Sequence, residues 1–172
     1  GLRVTTKSVM SVVKKILGTQ INNEIVRLIN HFGGNAISFN HNKYSIIRAT
    51  KRNNDEGPYL GYVGKVEKIL NGEIKKKIDN GFIPVIAPIG KSKNNDYWNI
   101  NADVVAGEVA QSLKAEKLIL LTDVKGIGDS ENKLISKISL KKGQKVLKEK
   151  FIKGGMTPKL TAALEAKKNG VK

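Results

Sequence analysis

The chain has 172 residues, 40% apolar and 27% charged, with no cysteine and only two histidines, His31 and His41. That composition excludes a disulfide scaffold and a thiolate metal site, argues against a multi-histidine centre, and supplies enough apolar sequence for a packed core. The formal net charge is +16, from 27 Lys and 4 Arg against 15 acidic residues. Such a charge attracts nucleic acid or a polyanionic small molecule. The lysines, however, are spread along the whole chain, and Arg, the residue best suited to bidentate phosphate and base recognition, is scarce. Aromatic residues are 5% and scattered, so there is no stacking platform for single strands. The charge therefore reads as solvated faces, and no nucleic-acid partner is expected. No apolar stretch approaches the roughly 20 residues that a membrane helix needs, and the opening lacks a signal-peptide pattern. A soluble protein of a reducing compartment, with no membrane partner, is expected.

Val9, Val12, Val13, Ile16 and Leu17 fall at helical spacing, and Gly18 is expected to end that helix. Ile21, Ile25, Leu28, Ile29 and Phe32 make a second stripe, closed by Gly33-Gly34. Residues 36–39, 44–49 and 61–70 read as strands of a small antiparallel excursion, with a polar turn over 52–58. Residues 71–80 predict a short, very basic helix. Residues 82–87 are a continuous apolar run, which suits a strand buried on both faces of a parallel sheet, with Pro84 near one end or at an unpaired position. A polar loop follows over 90–97. Ala102, Val105, Ala106, Val109, Ala110 and Leu113 form a third helical stripe. Residues 117–122 predict a second buried strand, and residues 123–132 a loop rich in Gly and Asp. Helices are predicted over 139–150 and 156–168, and Val171 is read as the start of another strand. Strands alternating with helices imply an α/β sandwich, here with no repeat and no domain linker.

Three places carry candidate chemistry. Asn99, Asn101 and Asp103 recur at every second position, so in an extended segment their side chains point one way. They lie beyond a strand and at the start of a helix, where open α/β sheets hold ligands and where free N–H groups gather. Substrate-binding amides with an orienting carboxylate fit this pattern, and so does helix capping by Asn101 or Asp103. The second place is Gly154-Gly155-Met156-Thr157-Pro158-Lys159. Glycines before a helix let backbone N–H groups approach an anion, Pro158 suits a first helical turn, and Lys159 would project from it. With 27 lysines in the chain, an ordinary glycine turn with a surface lysine is the better reading of these residues alone. The third is Asp123-Val124-Lys125-Gly126-Ile127-Gly128, which could hold a nucleotide but by itself reads better as a simple turn. Neither a Gly-x-x-x-x-Gly-Lys-Ser/Thr loop nor a Gly-x-Gly-x-x-Gly fingerprint is present.

Gly1-Leu2-Arg3-Val4-Thr5, Asn99-Ile100-Asn101-Ala102-Asp103, Leu120-Leu121-Thr122-Asp123-Val124-Lys125-Gly126-Ile127 and Gly154-Gly155-Met156-Thr157-Pro158-Lys159 occur in an order and spacing that resembles acetylglutamate kinase, of the amino acid kinase fold. The resemblance covers essentially the whole chain. It implies a three-layer α/β sandwich with a mostly parallel central sheet, as a single domain over residues 1–172. It implies phosphorylation of the side-chain carboxylate of N-acetyl-L-glutamate by ATP, with Mg²⁺ carried on the ATP phosphates, as the second step of arginine synthesis. The looser alternatives are another amino acid kinase and, from charge alone, a nucleic-acid-binding protein.

By the same resemblance Arg3, Asn99 and Asn101 hold the amino-acid substrate, and Lys159 stabilises the transferring phosphoryl group. Asp103 orients the catalytic lysines. Asp123, Val124, Lys125, Gly126, Ile127 and Gly128, with Phe151, Ile152, Lys153, Gly154, Gly155 and Met156, match the nucleotide-binding segments. The family begins upstream with a Lys-x-Gly-Gly strand and a second glycine loop, and ends with further strands. This chain is therefore expected to be an internal piece that lacks one catalytic lysine. Homo-oligomers are implied, in the cytoplasm or in a plastid stroma, with the PII signalling protein as a partner in photosynthetic lineages.

Overall fold

The structure, a computed structural model, describes residues 4–52, 59–131, 133–149 and 151–171. These group into two compact units, one running to Val105 and one from Ala106 onward, so the division falls inside a helix. The sequence is read as a single domain. Each unit is described here by itself.

The first unit opens with α1 (Lys7–Lys15), capped by Thr6, whose hydroxyl accepts from the Val9 N–H at 3.3 Å. Gly18 does not stop the helix, contrary to expectation. A π-helical turn over Ile16–Ile21 carries the chain directly into α2 (Asn22–His31). Gly18 is buried in that turn, and a Cβ there would lie 2.6 Å from His41 Nδ1 and 2.7 Å from Ile89 Cδ1. Its glycine therefore serves close packing rather than termination. The real stop is Gly33, at φ +83°, as the paired glycines predict.

β1 (Ala36–Phe39) pairs in parallel with β4 (Ile83–Ile86), with Ala36 opposite Ile83 and Phe39 opposite Ile86. This corrects the expectation that residues 36–39 join the antiparallel excursion. Pro84 sits in register with Ile37 of this two-stranded sheet, and Ile83 stays 47% exposed, so β4 is not buried on both faces. The second sheet has the order β3-β2-β5-β6. β2 (Ile47–Lys51) and β3 (Gly64–Ile69) run antiparallel, and β5 (Ile89–Lys91) joins β2 in parallel through Arg48 and Lys91. β5 and β6 (Tyr97–Asn99) form a hairpin across residues 90–97, which the sequence presents as a polar loop. Its turn residues hide a three-residue strand on each side. The helix α3 (Gly72–Asp79) lies where predicted and buries Ile74. Phe39, Ile47, Ala49, Ile74 and Ile89 are buried in this unit.

α4 (Ala102–Leu113) crosses from the first unit into the second. Its small residues do permit close packing, since a Cβ on Gly107 would stand 3.4 Å from the Ala162 carbonyl. α5 (Leu140–Val146) starts at Ser139, whose hydroxyl accepts from the Lys142 N–H, and is shorter than the helix predicted over 139–150. α6 (Met156–Lys168) matches its prediction. Residues 117–122 run without a ladder: Leu118 and Leu120 are half-buried, while Ile119 and Leu121 are 70% and 85% exposed. The run is apolar enough for a central strand, but no neighbouring strand among the described residues pairs with it. Val171 is buried against Ala110 and Ala166, and the position past it, where the expected strand would continue, lies outside the described residues.

Candidate functional site

In the first unit, Thr5 ties the opening segment to the sheet. It is 1% exposed, donates its N–H to the Leu60 carbonyl at 2.9 Å, and accepts from the Tyr62 N–H at 2.7 Å. Asn99, at the end of β6, donates from its side-chain amide to Thr5 Oγ1 at 3.2 Å, and its own N–H reaches the Tyr62 carbonyl at 2.9 Å. Two motifs 94 residues apart thus meet through one hydrogen bond. Arg3, the proposed carboxylate ligand of the opening motif, lies outside the described residues.

Asn101 caps α4. Its side-chain oxygen accepts from the Asp103 N–H at 2.9 Å and the Val104 N–H at 3.1 Å, so the capping role that its position allows is realised. Asp103 stands half-buried in the first turn of α4, where the partial positive charge of the helix start favours a carboxylate.

In the second unit, the two nucleotide-binding candidates converge on one apolar cluster. Ile127, Phe151 and Met156 pack around Val146, Ile152, Leu160 and Leu164. That anchoring turns the rest of both segments outward. Asp123, Val124 and Lys125 are exposed in one, and Lys153, Gly154 and Gly155 in the other. Gly126 at φ +139° and Gly154 at φ +58° hold backbone conformations that favour glycine. The loop past Gly128 is closed by Asp129, whose carboxylate accepts from the N–H groups of Glu131 and Lys133 at 2.9 Å each.

The start of α6 suits an anion. Gly155 gives no side-chain cap, Pro158 brings no N–H, and Cβ atoms on Gly154 or Gly155 would meet nothing within 4 Å. First-turn N–H groups are therefore approachable, and phosphate oxygens match them in charge and geometry. Lys159 follows in the same turn and is half-buried. Asp103 belongs to the first unit and Lys159 to the second.

Two clefts lie apart from most of these residues. One, of about 600 Å³, is lined by Lys43, Ser45, Lys68 and Glu73 among others, and includes none of them. The other, of about 300 Å³, is lined by Ile127 together with Leu118, Ile138, Leu140 and Leu164. No three His, Cys, Asp or Glu side chains gather as a metal site among the described residues, and no helix there is long and apolar enough to cross a membrane. Thr5 closes the opening Gly-Leu-Arg-Val-Thr motif, but only the long-range hydrogen bond marks it as the partner of Asn99.

The amino acid kinase family description matches residues 2–172. The chain is 40% identical over 99% of its length to a protein named acetylglutamate kinase from Herminiimonas arsenicoxydans, and 41% identical over 100% of its length to one from Burkholderia mallei. It spans 60% of the length of each of these relatives. Among solved structures, smu.665 from Streptococcus mutans UA159 superposes with a TM-score of 0.90 at 33% identity, covering 99% of this chain and 68% of that one. N-acetylglutamate synthase from Neisseria gonorrhoeae, complexed with coenzyme A and N-acetyl-glutamate, superposes at 0.86 with 23% identity. That match covers 99% of this chain and 38% of the synthase, and shows a shared fold.

Proposed function

The chain belongs to the amino acid kinase family, and we propose on that premise that it forms the larger part of an acetylglutamate kinase. The observation that carries the reading is its 40% identity, end to end, with proteins of that name. In the reaction a side-chain carboxylate oxygen of N-acetyl-L-glutamate attacks the γ-phosphorus of ATP. The bond to the β,γ-bridging oxygen breaks, ADP leaves, and an acyl phosphate is formed. Such a transfer needs positioning and charge stabilisation more than covalent help from the protein.

The residues divide by unit. Asn99, held by Thr5, and Asn101 present amides to the amino-acid substrate, with Arg3 as its carboxylate ligand. The segments Asp123–Gly128 and Phe151–Met156, through their outward-facing residues, take the nucleotide, with phosphate oxygens against the first turn of α6. Lys159 meets the charge that develops on the transferring phosphoryl group, and Asp103 orients cationic groups. Mg²⁺ enters on the ATP phosphates. The protein acts as a homo-oligomer in the cytoplasm, or in a plastid stroma with PII as a partner if it comes from a photosynthetic eukaryote.

The test is ADP release by the full-length protein with N-acetyl-L-glutamate, L-glutamate or L-aspartate as acceptor. Turnover on N-acetyl-L-glutamate alone is expected. Turnover on another acceptor with none on N-acetyl-L-glutamate would assign the chain to a different branch of the family.

A further inference from the structure

One face of the four-stranded sheet carries a row of like charges. Lys68 on β3 stands opposite Arg48 on β2, Arg48 opposite Lys91 on β5, and Lys91 opposite Tyr97 on β6. Residues paired across strands put their side chains on the same face, and like charges placed opposite one another weaken the ladder. Lys14 of α1 enters the same neighbourhood: its ammonium lies 4.2 Å from the centre of the Tyr97 ring, and the Lys91 ammonium lies 5.7 Å from that centre.

Lys14, Arg48, Lys91 and Tyr97 are all half-buried, so solvent and salt screen these charges less than they screen the lysines elsewhere on the surface. Among the described residues none of the three cations forms an ion pair with a carboxylate. The face of Tyr97 receives two of them, the Lys14 and Lys91 ammonium groups, at once. His41 adds no negative charge. It is 7% exposed, edge-on to Tyr97 at 5.5 Å, with Nδ1 lacking a hydrogen-bond partner. Burial, and then the Lys14 charge, lower its pKa.

We infer that Lys14, Arg48 and Lys91 form a binding site for a small multivalent oxyanion of the phosphate type, seated beside Tyr97. Three cations drawn from α1, β2 and β5 match a tetrahedral ion that accepts on several oxygens at once, whereas a monovalent ion offsets only one of them. The site lies wholly within the first unit and shares no residue with the machinery proposed for phosphoryl transfer. It therefore stands or falls independently of that reading.

The test follows the thermal midpoint of the full chain against inorganic phosphate, with sodium chloride holding ionic strength constant. A saturable rise is expected. Lys14→Gln and Lys91→Gln should each weaken the apparent affinity roughly tenfold, the scale of one charge-assisted hydrogen bond. Lys91→Gln should also raise the midpoint in phosphate-free buffer, because it relieves the like-charge row. Lys75→Gln on the exposed face of α3 should change neither quantity. Glycerol phosphate in place of the inorganic ion tells whether a phosphomonoester or the free ion is the preferred source.

His41 gives a readout on the unaltered chain, which covers the case of variants that fail to fold. Sulfate, a dianion throughout the range, should move the His41 proton resonances to a higher titration midpoint. A midpoint that climbs without saturation, an affinity unchanged in both glutamine variants, or a His41 titration indifferent to sulfate would overturn the site.

Discussion

At the scale of single residues, His41 is a buried imidazole kept neutral. Burial, and next the neighbouring Lys14, lower its pKa below that of a free imidazole. The unfolded chain therefore takes up a proton on His41 more readily than the folded one. The stability tied to this residue is complete above about pH 6.5 and is lost as the pH falls toward the lower folded value. In phosphate-free buffer the thermal midpoint of the wild type should drop more between pH 7.5 and 5 than that of His41→Asn; parallel pH curves would refute a buried neutral imidazole. Such a role is invisible in the sequence, where His41 is only one of two scattered histidines. The site residues divide in the same way. The loop at Asp123–Gly128 and the glycine turn before α6 stand where the sequence places them, because turn chemistry is local. Spacing leaves Asn101 open between cap and ligand, and only the hydrogen bonds to the Asp103 and Val104 N–H groups reveal the cap. The contact between Asn99 and Thr5, and the row Lys68, Arg48, Lys91, Tyr97, depend on strand register, which no local pattern encodes.

At the scale of elements, apolar periodicity locates α1, α2, α3, α4 and α6 and most strands, while the partners of those strands elude it. β1 pairs with β4 across 47 positions of sequence rather than with its neighbours, as Ala36 opposite Ile83 shows. The three-residue strands β5 and β6 are too short to show a period of two. Gly18 is the most instructive error. A glycine between two helical stripes reads as a stop, but here it lets a π-helical turn press against His41 and Ile89. The Cβ of Gly18→Ala would overlap both side chains and should destabilise the first unit by about 1–3 kcal/mol, the usual scale of overpacking. Equilibrium urea unfolding checks this, and an unchanged midpoint would mean that the helix and the sheet separate more easily than their contact suggests. A single glycine has helix propensity enough to be tolerated mid-helix, so the stop signal is weak unless a positive φ accompanies it, as at Gly33.

At the scale of the whole molecule, the α1–α2 helix shows a continuous apolar face to solvent. Val12 is 58% exposed, Ile25 41%, Leu28 40% and Phe32 82%. Exposed apolar stripes of this kind mark interaction surfaces, which supports the homo-oligomer proposed above. Sedimentation of the chain should give a mass above that of a monomer, and Ile25→Glu with Leu28→Glu should return it to a monomer; an unchanged assembly would place the contact elsewhere. In the proposed phosphoryl transfer Lys159, at the glycine-opened start of α6, meets the phosphoryl charge. The most direct measurement is acyl-hydroxamate formation from N-acetyl-L-glutamate and ATP by the full-length protein, wild type against Lys159→Ala, with circular dichroism to verify the fold. A fall in kcat of roughly a hundredfold or more, with a much smaller change in the KM for ATP, is the expected result, since it is the scale of losing one preorganised charge donor. A near-normal kcat in a folded variant would leave Lys159 as an ordinary surface lysine and contradict the mechanism.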